Sequence, residues 1–129
     1  MKVLFVEDDP MNRRVVRDML SVVGLDMAEA ENAELGLSMI DQNDYDIILM
    51  DLRMPGMDGM TAIQHIRART DEKAKWPIIV VTADTAANLA EKCAEIGADD
   101  FLQKPVAMNA LFESIGKVVA AKAGASALL

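Results

Sequence analysis

The sequence predicts an α/β fold, a three-layer sandwich in which a parallel sheet lies between two layers of helices. Three short apolar runs, at residues 3–6, 47–50 and 78–81, are rich in β-branched side chains. Such runs are typical of strands buried on both faces, as in parallel sheets. Longer segments with helical spacing separate them, so strand and helix alternate five times. This alternation predicts a parallel sheet with right-handed crossovers.

The first part of the chain predicts two helices and an edge strand. The first helix begins at Pro10, with Asp9 as its N-cap, because proline suits the first helical turn. Residues 25–30 mix apolar and acidic side chains, which is typical of an edge strand. A second helix follows from a cap at Asn32 to about Asn43. Its apolar residues expected to pack on the sheet are Leu35, Leu37 and Ile40.

The second part of the chain predicts three further helices and a last strand. A loop over residues 51–59 leads into a helix that ends near Arg69, and a polar connection follows. The Ala-rich segment 122–129 is expected to fray, so the predicted domain covers residues 1–121. The other predicted elements are helices over about 85–96 and 108–121 and a short strand over 98–102.

Length, charge and cysteine content narrow the class of protein. The 129 residues are enough for one domain with a hydrophobic core. A net charge of −8 is repelled by phosphates, which argues against nucleic-acid binding. A lone cysteine, Cys93, fits a reducing cytosol. Because no run approaches the ~20 apolar residues of a membrane span, we expect a cytoplasmic protein without membrane contact.

Polar residues follow four of the predicted strands. Glu7 and Asp8 follow the first strand, Asp51 the third, Thr82 the fourth and Lys104 the fifth. In open α/β sheets, ligands bind outside the carboxyl ends of the strands. We therefore expect carboxylates, a hydroxyl and an ammonium group to converge on one edge of the sheet.

This set of groups suits phosphoryl transfer. Clustered carboxylates repel one another, and a hard divalent cation relieves the repulsion. Oxygen ligands without histidine or cysteine favour Mg²⁺. A cation, an ammonium and a hydroxyl around Asp51 would neutralise charge on an incoming phosphoryl group. Aspartate is itself a nucleophile for such groups and forms an aspartyl-phosphate.

The residues around these positions resemble the response-regulator receiver domain family of two-component signalling. The resemblance extends from Lys2 to about Val119, and its motifs occur in the family's order, which makes the set specific. It implies a flavodoxin-like fold with five parallel strands in the order 2-1-3-4-5. The motifs are Glu7-Asp8, Met50-Asp51-Leu52-Arg53-Met54-Pro55-Gly56-Met57-Asp58-Gly59, Val81-Thr82-Ala83 and Gln103-Lys104-Pro105.

The resemblance implies a role for each position. It makes Asp51 the phosphoacceptor and Lys104 the cation that pairs with the phosphoryl oxygens. Thr82 would hydrogen-bond the phosphoryl group, and the Phe101 ring would follow it inward as a switch. The peptide bond before Pro105 is expected to be cis. The implied Mg²⁺ ligands are Glu7, Asp8, Asp51 and the backbone carbonyl of Arg53.

The same resemblance implies the partners. A phosphohistidine on a histidine kinase or a phosphotransfer protein would donate the phosphoryl group. The surface of the fourth helix, fifth strand and fifth helix would then change, and a downstream protein would bind it. The chain would be a monomer or a weak, phosphorylation-dependent dimer. It would phosphorylate itself from a donor and dephosphorylate slowly, without being a turnover enzyme.

Two alternatives belong to other classes of protein. A phosphatase of the haloacid dehalogenase type also uses an aspartate and Mg²⁺, but it needs a second Asp where this chain has Arg53. An interaction module that has lost its chemistry would lack one of the acids or the lysine, which this chain retains. A stand-alone regulator is favoured over a receiver excised from a hybrid histidine kinase, because Met1 leads directly into the first strand.

Other charged residues near the motifs receive structural interpretations. Asp9 is interpreted first as a helix cap and second as a metal ligand. Three arginines on the first helix are interpreted as a solvated helix face, with docking to a kinase as the alternative. These are Arg13, Arg14 and Arg17.

Overall fold

The computed structural model describes the backbone of residues 1–127 and the side chains of residues 1–123. Its strands are β1 (Lys2–Val6), β2 (Asp26–Ala30), β3 (Ile47–Met50), β4 (Ile78–Thr82) and β5 (Asp100–Gln103). Its α-helices are α1 (Pro10–Ser21), α2 (Ala33–Gln42), α3 (Gly59–Arg67), α4 (Leu89–Glu95) and α5 (Met108–Ala127). A short 3₁₀ helix, Glu72–Lys75, joins α3 to β4.

The five strands of the described residues form one parallel sheet in the order β2-β1-β3-β4-β5. This order confirms the predicted flavodoxin-like fold. Strands β1, β3 and β4 occupy the centre, and apart from Lys2 their residues are buried. The predicted edge strand is confirmed as β2, which pairs with β1 alone.

Two apolar layers lie on opposite faces of the sheet. Successive side chains of a strand point to opposite faces, so Leu4 packs in one layer and Phe5 in the other. The first layer lies beneath α2, α3 and α4, and the second lies beneath α1 and α5. Burying one such side chain stabilises the fold by about 1.5–3 kcal/mol.

Three side-chain caps fix the starts of helices. The carboxylate of Asp9 accepts a hydrogen bond from the Met11 N–H at 2.9 Å, as predicted for α1. Asn32 caps α2, and Asp58 caps α3. The caps Asp9 and Asp58 stand at the ends of the two loops, 7–9 and 51–58, that carry the acidic motifs.

The structure corrects the packing predicted for α2. Leu35 is 41% exposed, whereas Leu37 is partly buried and Ile40 fully buried. The helix presents Ala33 and Gly36 to the sheet, and a Cβ at Gly36 would lie 2.8 Å from a Val6 methyl carbon. Small residues allow this close approach, so the inward stripe of α2 does not include Leu35.

Helices α4 and α5 differ from their predicted bounds. Helix α4 begins at Leu89 instead of residue 85, because Asn88 has a φ of 62° and cannot belong to a right-handed helix. Helix α5 continues to Ala127, over most of the segment 122–129 that we expected to fray. Residues 128 and 129 lie outside the described residues. Strand β5 starts at Asp100, two residues later than predicted.

The helices of the described residues were compared with the requirements of a membrane span. Across residues 1–127, no helix combines the length and apolar character that crossing a bilayer requires.

Candidate functional site

The carboxyl ends of the central strands lie side by side. In the parallel register, Val6 pairs with Met50 and Met50 pairs with Val80. The Asp51 N–H donates to the Val6 carbonyl at 3.0 Å, which holds the first residue after β3 against the end of β1. The Lys104 N–H donates to the Thr82 carbonyl at 2.8 Å in the same way between β5 and β4. The residues after four strands therefore share one edge of the sheet.

Three carboxylates converge at this edge. One oxygen from each of Glu7, Asp8 and Asp51 lies within 4.8 Å of the other two. The side chains of Glu7 and Asp51 are buried, and that of Asp8 is exposed. Such a group of oxygen donors, open to solvent on one side, suits a hard cation that keeps some of its water.

The Lys104 ammonium lies between two of these acids. It contacts Glu7 Oε1 and lies 3.4 Å from Asp51 Oδ2, with only 15% of its side chain exposed. The Lys104–Pro105 peptide bond is cis, as the sequence predicts. A cation held within reach of Asp51 can pair with negative oxygens that arrive there.

Burial and neighbouring carboxylates change the pKa of two of these acids. Burial and the neighbouring Asp51 raise the pKa of Glu7, although Lys104 opposes the change. Partial burial and the neighbouring Glu7 raise the pKa of Asp8. In both residues burial is the larger cause of the raised pKa, and the neighbouring carboxylate adds to it.

A buried hydrogen bond and a close backbone contact hold Asp51 in place. Asp51 Oδ1 accepts a hydrogen bond from the Leu52 N–H at 2.8 Å. The Gly59 N–H donates to the Leu52 carbonyl at 2.9 Å, so the start of α3 folds back over the loop. A Cβ at Gly59 would lie 2.0 Å from the Asp51 carbonyl oxygen, so only glycine fits.

Thr82 and Phe101 occupy different positions relative to the acids. Thr82 ends β4 at the site edge, is buried, and its Oγ1 accepts from the Asp84 N–H at 3.2 Å. Phe101 pairs in the sheet with Val80, is partly buried, and packs against the layer beneath α4. The structure therefore brings Thr82 to the site edge and leaves Phe101 beside α4, away from the acids.

An ion pair borders the site on the α4 side. The exposed Arg53 guanidinium binds Asp84 Oδ2 at 2.7 Å. The Ala86 N–H and this guanidinium hold the pKa of Asp84 below its usual range. Arg53 lies in the loop two residues after Asp51, and the pair lines a cleft of about 560 Å³ together with Met60 and Leu89.

One contact at the site contradicts the sequence-based interpretation. The side chain of Arg13 is only 16% exposed, and it donates to the backbone carbonyls of Glu7 and Asp8 at 2.7 and 3.2 Å. Its Nε also donates to Glu29 on β2 at 3.1 Å. Side chains of a helix tilt toward its N-terminus, so a residue one turn after the cap lies over the preceding loop. With Asp9 as the cap, this rule places Arg13 over the loop of Glu7 and Asp8, so the sequence did contain a signal for the contact.

A comparison with models of protein families identifies the family of this chain. The model of the response regulator receiver domain matches residues 3–116, which is most of the chain. The chain belongs to this family. Its membership confirms the predicted resemblance and favours a receiver domain over the haloacid dehalogenase alternative.

Relatives of this receiver domain include parts of much longer proteins. This chain is 34% identical over 118 residues to the sensor protein GacS of Pseudomonas syringae, and the match covers 90% of the chain and 13% of that protein. It is 36% identical over 111 residues to a cyclic di-GMP phosphodiesterase of Thermotoga maritima, covering 86% of the chain and 29% of that protein. The receiver domain therefore spans less than a third of the length of either relative.

A solved receiver domain has the same fold. The crystal structure of the receiver domain of a Pseudomonas aeruginosa sensor histidine kinase is 31% identical, with a TM-score of 0.83. The match covers 92% of this chain and 97% of that one. That structure has a magnesium ion coordinated in its active-site cleft.

Proposed function

We propose that this receiver domain accepts a phosphoryl group on Asp51, with Mg²⁺ bound beside it, and thereby switches its protein interactions. The observation that carries the proposal is the convergence of Glu7, Asp8 and Asp51 at one sheet edge with Lys104. Receiver function in this form needs an acceptor carboxylate, a cation site and a second positive group. Asp51 would be the acceptor, the oxygens beside it would form the cation site, and Lys104 would be the second positive group.

The donor set fits Mg²⁺. The three carboxylates outnumber the Lys104 ammonium by two charges, which a divalent cation would balance. The ligands would be oxygens alone, and Mg²⁺ prefers oxygen and retains several waters. When bound, Mg²⁺ would supply positive charge to the phosphoryl oxygens. The residues that would hold it are Glu7, Asp8, Asp51 and Arg53 through its backbone carbonyl.

The transfer step uses the groups around Asp51. A carboxylate oxygen of Asp51 forms the bond to phosphorus while the P–N bond of a donor phosphohistidine breaks. The electron pair of that bond returns to the imidazole nitrogen of the donor. The Leu52 N–H fixes the orientation of the carboxylate, and Lys104 pairs with the negative phosphoryl oxygens.

The switch would follow from a new hydrogen bond to the phosphoryl group. Thr82 Oγ1 accepts from the Asp84 N–H, and turning this hydroxyl toward Asp51 would break that contact. Phe101 lies beside α4 and would move inward by packing alone, since it has no hydroxyl. The surface of α4, β5 and α5 would then change, and the equilibrium between two states would shift.

The proposed partners are those of a phosphorelay. A histidine kinase or a histidine phosphotransfer protein supplies the phosphoryl group, and a downstream protein binds the α4-β5-α5 surface. The chain acts as a monomer or a weak phosphorylation-dependent dimer in the cytoplasm. Each phosphoryl group is accepted once and lost by slow hydrolysis, so the domain is not a turnover enzyme. The acidic net charge argues against nucleic acid as a partner.

The test is binding of beryllofluoride, a phosphoryl mimic, followed by amide NMR with and without Mg²⁺. We expect binding that requires Mg²⁺, with shifts at Asp51, Thr82, Lys104 and α4. Absence of binding at millimolar Mg²⁺ would overturn the proposal and favour an interaction module without phosphoryl chemistry.

A pair of variants identifies the acceptor. Asp51→Asn should keep its fold and lose labelling by a small-molecule phosphodonor. Asp58→Asn changes an acid of the same loop, and it should label like the wild type, because Asn also caps helices well. An aspartyl-phosphate on the Asp51→Asn protein would contradict the assignment.

A further inference from the structure

We propose that Arg13 is a positioning residue that clamps the loop of Glu7 and Asp8 and thereby sets the affinity of the site for Mg²⁺. The inference rests on the proposed function, because it takes these two acids to be metal ligands. It adds a residue that contacts the backbone carbonyls of these two acids.

The first step is the geometry of the loop. Strand β1 ends at Val6, and after the Glu7 N–H, which donates to Ala30 at 2.9 Å, the loop leaves the sheet. Among the described residues, no strand N–H donates to the carbonyls of Glu7 and Asp8. Both accept from Arg13 Nη1, at 2.7 and 3.2 Å. One guanidinium therefore fixes the backbone orientation of both acids.

The second step is what holds the guanidinium. Arg13 Nε donates to Glu29 Oε1 at 3.1 Å, and Glu29 pairs with Phe5 in the sheet register. The clamp therefore joins α1, the loop and the edge strand β2. With 16% of its side chain exposed, Arg13 is poorly screened by solvent, and such charge-assisted hydrogen bonds are among the stronger ones in proteins.

The third step separates geometry from charge. A positive group near the acids would by its charge alone weaken Mg²⁺ binding, so removing it would tighten binding. Glu29 carries the opposite charge in direct contact with Arg13, which reduces this field. We therefore expect the loss of loop geometry to be the larger effect, and loss of Arg13 to weaken Mg²⁺ binding.

The experiment measures the Kd for Mg²⁺ alone by titration calorimetry, at neutral pH and physiological ionic strength. Arg13→Met should bind about tenfold more weakly, the size typical of removing a group that orients metal ligands. Arg13→Lys keeps the charge but cannot reach both carbonyls and Glu29, so it should bind about threefold more weakly.

The matched control is Arg17→Met. Arg17 pairs with the same Glu29 and lies on the same helix, but it contacts neither loop carbonyl. This variant should bind Mg²⁺ within about twofold of the wild type, as expected for an exposed ion pair. It removes the same charge as Arg13→Met, so any difference between them is due to the loop contacts.

A second readout separates positioning from general stability. Amide NMR without Mg²⁺ should show shifts at Asp8 and Asp9 in both Arg13 variants and none there in Arg17→Met. If Arg13→Met fails to fold, Arg13→Lys decides. Wild-type Kd values in the Arg13 variants would overturn the clamp. If Arg13→Lys bound Mg²⁺ with the wild-type Kd and Arg13→Met bound it more tightly, Arg13 would act through its charge, and the clamp would be wrong. Absence of Mg²⁺ binding by the wild type would overturn the proposed function as well.

Discussion

At the scale of single residues, the tightest constraint on the site is the absence of a side chain at position 59. A Cβ there would meet the backbone of Asp51, which cannot rotate away as a flexible side chain does. The loop and the start of α3 must separate to admit one methyl group. The position of Asp51, the proposed acceptor, thus depends on a residue without a side chain.

Gly59→Ala should therefore lower the free energy of unfolding by about 3 kcal/mol, the upper part of the range for overpacking. Gly116→Ala is the control, because Gly116 lies in α5 with no atom within 4 Å of an added Cβ. It should stabilise the protein by up to about 1 kcal/mol through helix propensity. Urea unfolding measures both changes, and equal midpoints for the two variants would contradict the steric argument.

At the scale of elements, an acid on β5 fastens α5 to the sheet. Asp100 Oδ2 accepts from the Ser114 hydroxyl at 2.5 Å and lies 3.2 Å from the Lys117 ammonium. Burial alone would raise the pKa of Asp100, but Ser114, the Phe101 N–H and Lys117 outweigh it and lower the pKa. The folded state therefore holds this carboxylate ionised more strongly than the unfolded chain does.

This shift gives a pH dependence with a definite sign. A lowered pKa in the folded state contributes stability above the ordinary aspartate range, and the contribution disappears as pH falls through the folded-state value. Asp100→Asn should lower stability most at neutral pH, and its difference from the wild type should shrink in acid. Unfolding in urea across pH measures it. Asp18→Asn, an exposed acid on α1, controls for net charge. A difference that grows in acid would contradict the assignment.

The bounds of α4 show why some elements are harder to predict than others. For α1 and α2 the sequence predicts the N-cap residues, Asp9 and Asn32, and the structure confirms both. Segment 85–88 has helix-compatible residues, but Asn88 adopts a left-handed conformation. Asn tolerates that conformation without requiring it, so composition could not place the start of α4.

At the scale of the molecule, two partly buried arginines form hydrogen bonds at opposite ends of the strands. Arg13 lies at the carboxyl ends of the strands, beside the acids. Arg67 lies at the amino ends, where it donates to the carbonyls of Ala74, Trp76 and Gly97 at 2.7–2.8 Å and binds Asp99 at 3.0 Å. It joins α3, the 3₁₀ segment and the loop before β5.

Arg67→Met should lower the free energy of unfolding by about 2–4 kcal/mol, because three carbonyls and a carboxylate lose a charged donor. The Kd for Mg²⁺ should stay within about twofold of the wild type, since the hydrogen bonds of Arg67 all lie at the edge opposite the acids. Unfolding in urea and calorimetry measure the two quantities. A fall in Mg²⁺ affinity comparable to that in Arg13→Met would show that the edges are not independent.

At the scale of the molecule, the sequence predicts the residues at the strand ends but not the contacts that depend on helix packing. Residues that follow strands can be located because the fold brings all carboxyl ends to one edge, and Asp51, Thr82 and Lys104 lie there as expected. The contact of Arg13 with Glu29 depends on how α1 packs against β2. No local pattern records that packing, so only the structure shows the Glu29 contact, whereas the tilt of helical side chains toward the N-terminus indicates the loop contacts of Arg13.

The position of the tryptophan has a practical consequence. Trp76 is the one tryptophan of the sequence, and it packs edge-to-face on Tyr45, with ring centroids 6.2 Å apart, just before β4 and β3 begin. The whole length of the sheet separates this indole from the acids. The fluorescence of Trp76 should therefore change when the domain unfolds. It should not change when a cation binds at the opposite ends of the strands. An optical sensor for the signalling state needs a fluorophore introduced beside Asp51.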